Sequence, residues 1–162
     1  DRTHPVRSVQ DVMAIMYLIE IAQLQIEVHG YQFPNADDYY DANWLNVSIR
    51  YAGANSKIWL EEPCLLTVEL SAFRDQLRQL SDLSVEGAVL RPLEPYIELE
   101  VARAGSLGGL SAKVRLKPDL IDEVHELQMG LDLSYLPGIV AQFDRVLSQF
   151  PVRLDSQCSV RS

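Results

Sequence analysis

The chain has 162 residues, 48% of them hydrophobic, enough for one domain with a substantial core. Its formal net charge of −9 and pI near 4.7 argue against nucleic acid as a partner, because phosphate recognition needs clustered Lys and Arg. No apolar run approaches the ~20 residues of a membrane helix, and two cysteines, neither in a CxxC, are too few for a disulfide framework. The expectation is a soluble, cytoplasmic protein with reduced thiols and no membrane association. Acidity also favours rapid capture of a basic partner, although solubility alone would explain it.

Residues 1–15 read as an N-terminal extension, polar as far as Arg7, with a short amphipathic helix over Val9–Met16 capped by Ser8. The run "VMAIMYLI" has the apolarity of a signal peptide core, but no small-x-small cleavage site follows it. From residue 16 to 152 a single domain is expected, with no internal repeat and no linker. Period two then dominates. Leu24, Ile26 and Val28 alternate with polar residues, as do Leu45–Tyr51, Ile97–Val101, Leu110–Leu116 and Leu127–Leu133. Two weaker strands are expected near Lys57–Glu61 and Ser84–Leu90. Such alternation means strands with one buried and one wet face, hence antiparallel sheet. Two stretches change to helical spacing: Leu70, Phe73, Leu77 and Leu80, with Ser71 as N-cap, and Leu136 to Phe150, with Pro137 in the first turn and Pro151 as terminator. The fold class is therefore α+β: a largely antiparallel sheet of about seven strands with two amphipathic helices packed on it. Residues 153–162 read as a flexible tail, and Cys64 as a small core residue.

Little in the chain suggests catalysis. His4, His29 and His125 are isolated, with no HxxxH or HExxH. There is no GxSxG elbow and no phosphate loop; "AGSLGGL" reads as a hairpin connection. Glu98 and Glu100 would face Lys113 and Arg115 across that hairpin as cross-strand ion pairs. No metal, cofactor or catalytic residue is expected.

One stretch stands apart. "FPNADDYYDANWLNV", Phe33–Val47, gathers three carboxylates, two tyrosines and a tryptophan. It does not space its oxygens as a calcium loop does. It reads either as a turn whose aromatics close the core, or as an acidic and aromatic contact surface for a basic partner; the two are compatible. The partner-binding candidates are Asp37, Asp38, Tyr40 and Asp41, with Glu61 and Glu62. Asn43 and Trp44 read as structural.

The segment "IEVHGYQFPNADDYYDANWLNVSIRY" resembles the opening of the WapI-type immunity proteins, with Gly30, Tyr31, Phe33, Pro34, Asp38, Tyr39, Asp41, Asn43, Trp44 and Leu45 matching and Tyr40 in place of a Trp. "CLLTVELSAFRDQLRQL", "VEGAVLRPLEPYIELEV" and "LDLSYLPGIVAQFDRVLSQFPV" resemble later parts of that family in order, from about Leu18 to Val152. Leu133 and Ser134 depart from the Gln and Thr of the pattern. The resemblance implies a non-enzymatic bacterial binding protein that neutralises a cognate toxin domain by occluding it. That toxin is expected to be basic, nucleases being one such class. The alternative is a small-molecule-binding or enzymatic α+β protein with a pocket between sheet and helices. A third reading is a homo-oligomer joined along a sheet edge.

Overall fold

A computed structural model describes residues 17–154. The helix expected over Val9–Met16 and Cys158 lie outside the described residues. The chain forms two four-stranded antiparallel sheets, each with its strands in chain order and each followed by a helix. The first contains β1 (Leu18–Ile21), β2 (Leu24–Tyr31), β3 (Trp44–Ala52) and β4 (Lys57–Leu66), with a short helix α1 (Tyr39–Asn43) between β2 and β3. Helix α2 (Thr67–Ser81) follows. The second sheet contains β5 (Gly87–Leu90), β6 (Ile97–Arg103), β7 (Gly109–Asp119) and β8 (Glu123–Asp132). A single 3-10 turn leads into α3 (Leu136–Gln149).

The expected α+β class is therefore the observed one, with eight strands. The architecture repeats a four-strand-plus-helix unit although the residues do not repeat. Each helix crosses to the other sheet: α2 packs on β5 and α3 on β1. The helices also complete those edge strands. The Gln76 carboxamide accepts from Val89 N–H at 2.8 Å. The Gln142 carboxamide accepts from Glu20 N–H at 2.6 Å and donates back to Glu20 O at 3.3 Å. Such side-chain bonds satisfy edge groups that would otherwise invite another strand. The apolar faces of both sheets and the stripes of α2 and α3 form one core, with Phe73 and Phe143 edge to face at 5.7 Å. Cys64 lies in it, fully buried.

Three details correct the sequence expectation. Strand β1 is an additional strand, only four residues long, turned back through Ala22 with φ of 51°. The segment expected as a simple turn before β3 contains α1. Helix α2 begins at Thr67, so Ser71 is not its N-cap but sits in the second turn. The Glu69 carboxylate reaches back to Leu66 N–H at 2.8 Å and also accepts from Leu93 N–H at 2.8 Å, so the helix start is closed without a hydroxyl cap at Leu66.

The hairpin between β6 and β7 has the expected register: Glu98 opposite Arg115 and Glu100 opposite Lys113. Its turn uses positive φ at Gly105 and Gly108.

Candidate functional site

Asp38 begins the acidic stretch locally. Its carboxylate accepts from Tyr40 N–H at 3.0 Å and Asp41 N–H at 3.2 Å, an N-cap that starts α1. Capping leaves Asp37 and Asp41 exposed and holds Tyr40 outward, 53% exposed, edge to face with half-buried Tyr39 at 5.4 Å. Of the two tyrosines, one is thus half-buried and one faces solvent.

Behind this surface the loop is pinned. Asn43 is fully buried and uses all its hydrogen-bonding capacity. Nδ2 donates to Tyr39 O at 2.7 Å and Arg153 O at 2.8 Å; Oδ1 accepts from Thr67 Oγ1 at 2.5 Å and Arg153 N–H at 2.9 Å. One amide therefore ties α1, the start of α2 and the segment after α3 together. Arg153 adds the second pin. Its guanidinium donates to Ala42 O, Pro34 O and Phe33 O at 2.5–3.0 Å and lies 3.7 Å from the centre of the Tyr31 ring. Its charge is thus directed at carbonyls, not at the aspartates. Sequence reasoning missed Arg153 because it lies beyond the last periodic residue; no local pattern marks it.

Glu61 and Glu62 occupy opposite faces of edge strand β4. Glu61 pairs in register with Ser48 and accepts its hydroxyl at 2.9 Å; Ser48 Oγ lies 2.6 Å from His29 Nε2. This is the one serine–histidine–carboxylate contact in the described residues that could suggest catalysis. The proton count argues otherwise. The single hydroxyl proton goes to the carboxylate, so Nε2 must donate and cannot act as a base on that oxygen. Ser48 is also buried.

Glu62 sits at a break in the sheet. The β3–β4 register slips between Leu45–Leu65 and Val47–Glu62, placing Pro63 at a bulge where its missing N–H costs no ladder bond. There a recess of about 320 Å³ opens, lined by Trp44 and Glu62 from the first sheet, by Gln32 and Phe33 from the loop after β2, and by Glu94 and Tyr96 from the β5–β6 connection. Partial desolvation, then the Glu62 and Glu94 carboxylates, raise the Tyr96 hydroxyl above its usual pKa. Burial first, then Glu62 and Glu69, pushes the Cys64 thiol up to about 12. Trp44, expected to be structural, also forms a wall of this recess. Glu94 and Tyr96 lie in a loop far along the chain, and only the fold brings them here.

Asp37, Asp38, Tyr40 and Asp41 thus cluster around α1, Glu62 borders the recess beside it, and Glu61 faces the other side of β4. None of these five carboxylates pairs with a Lys, Arg or His among the described residues. A second concavity, about 550 Å³, crosses the wet face of the second sheet, where Glu98, Glu100, Lys113 and Arg115 already oppose one another. Among the described residues the apolar side chains of both sheets and of α2 and α3 form one core in the space between sheets and helices. Among the described residues no group of three or more His, Cys, Asp and Glu is placed to hold a metal, and no helix is long and apolar enough to cross a membrane.

Comparison with known proteins gives one family. The model of the immunity protein WapI-like family matches residues 18–151. No curated protein matches. Among solved structures, one titled "Structure of the plant transcriptional regulator PBF-2" is similar, with 13% identity over 90% of this chain and 92% of that one. Its TM-score of 0.45 is too low to carry either fold or function across.

Proposed function

Because the chain belongs to the WapI-like immunity protein family, we propose that it neutralises a cognate toxin domain by binding and occluding it, with the face around α1 as the contact surface. The family is generally non-enzymatic, and the reading here is of a binding protein that acts in the cytoplasm and needs no cofactor. Asp37, Tyr40 and Asp41 make the first contacts, with Asp38 shaping the turn that presents them. Glu61 and Glu62 extend the surface to both sides of β4, which a partner covering that edge reaches together. The partner is basic; a nuclease, whose groove accommodates phosphates, is the class that carboxylates would best mimic.

The observation that carries this reading is the set of unpaired carboxylates on a pinned loop. Some acids elsewhere are paired: Asp144 bridges Arg74 and Arg78, and Glu86 meets Arg103. Around α1 the carboxylates form no ion pair among the described residues, Arg153 being bonded to backbone carbonyls, and the backbone beneath them is fixed by Asn43 and Arg153. A preorganised surface loses less entropy on binding.

The test is capture from the native host's lysate on immobilised protein at low and moderate salt, followed by assay of the captured domain with and without the protein. A single stoichiometric basic toxin domain, inhibited when bound and released by salt, is expected. Retention of a small molecule and no protein would contradict the reading.

A further inference from the structure

We propose that the recess between the β4 bulge and the β5–β6 connection is a binding site for an arginine side chain presented by a basic protein partner. The inference rests on the toxin-binding reading and names the chemistry of one contact within it. Phe33, Trp44 and Tyr96 supply aromatic walls, and two carboxylates come from Glu62 on β4 and Glu94 in the β5–β6 connection. Neither carboxylate makes a hydrogen bond or ion pair to a side chain among the described residues. Partial desolvation and, after it, the Glu62 and Glu94 carboxylates raise the Tyr96 hydroxyl above its usual pKa. The recess, about 320 Å³ and open to solvent, has room for a long side chain.

Two carboxylates exclude an anion, and the aromatic walls suit a cation that is flat and weakly hydrated. A guanidinium stacks on Trp or Tyr within about 6 Å of the ring centre and offers paired donors to a carboxylate. A lysine ammonium offers neither the plane nor the fork. The site is also held open. Pro63 keeps β4 bulged, and the Leu93 N–H to Glu69 bond ties the β5–β6 connection to the start of α2.

The probe is the tripeptide acetyl-Gly-Arg-Gly-amide, titrated into labelled full-length protein and followed by NMR, with the citrulline peptide as its neutral isostere. Saturable shifts at the Trp44 indole and the Tyr96 ring are expected for arginine and not for citrulline. The double variant Glu62→Gln, Glu94→Gln removes both charges while keeping side-chain size, and should weaken the arginine peptide at least tenfold. Equal shifts from both peptides, or arginine shifts indifferent to the double variant, would overturn the site. The two readings separate cleanly. A toxin domain bound equally by wild type and double variant sinks the recess and leaves the family reading intact. Arginine-specific binding in a protein that captures no toxin supports the recess and sinks the toxin reading.

Discussion

Asn43 closes four hydrogen bonds with one side chain, so its loss strands several buried partners at once. Leaving a buried polar group unsatisfied costs about 1–3 kcal/mol; Asn43→Ala should therefore lower stability by about 3 kcal/mol in urea unfolding, among the larger single-residue effects here. Arg153 acts on a smaller region. Arg153→Ala should leave the core transition cooperative while hydrogen exchange accelerates in residues 33–42. Arg153→Lys should not restore protection, because an ammonium cannot reach three carbonyls while stacked on Tyr31. Asp119 and Asp132 give a pH signature. Backbone donors from Asp122 and Ile121 lower the pKa of Asp119, and those from Ser134 lower that of Asp132. A depressed carboxylate stabilises the fold at neutral pH and loses that contribution as pH falls through its folded-state value. Asp119→Asn should lower the urea midpoint at pH 7 and have no effect once the wild-type carboxylate is protonated.

The elements differ in how far residues alone disclose them. Strands β2, β3, β6, β7 and β8 announce themselves by alternation, and α2 and α3 by apolar stripes, because each buries one face over several periods. Strand β1 spans four residues and α1 five, too few to establish a period against the neighbouring apolar run and turn residues. The start of α2 was misplaced for a different reason. A hydroxyl at Ser71 looks like a cap, whereas the working closure comes from Glu69, whose second oxygen serves a loop 24 residues away. Pairwise completion of the edges is likewise invisible in sequence, since Gln76 and Gln142 look like ordinary wet-face residues. Gln142→Ala should cost about 1 kcal/mol, the usual net value of an intramolecular hydrogen bond, and should speed hydrogen exchange at Glu20. Of the candidate site, the acidic cluster was legible because it is local. The recess was not, because Glu62 and Glu94 meet only through the tertiary fold.

At the scale of the whole molecule, the net charge is −9, and among the described residues the ion pairs are distributed unevenly. On the second sheet's wet face Arg115 pairs with Glu126, and Glu98 and Glu100 lie opposite Arg115 and Lys113 in register; at the α2–α3 seam Asp75 and Asp144 together match Arg74 and Arg78. The acids around α1 form no ion pair among the described residues, and on the proposed reading a basic partner approaches that end. Association should slow as salt rises, with dissociation less affected, since exposed charges steer encounter more than they hold the complex.

The most direct measurement is the dissociation constant for the captured toxin domain, wild type against the variant Asp37→Asn, Asp41→Asn, Glu62→Gln, at low and moderate salt. The expected result is a loss of at least tenfold at low salt, about 1.4 kcal/mol or more, with a flattened salt dependence and an unchanged urea midpoint. Equal affinity and equal salt dependence would contradict the account and move the contact surface away from α1.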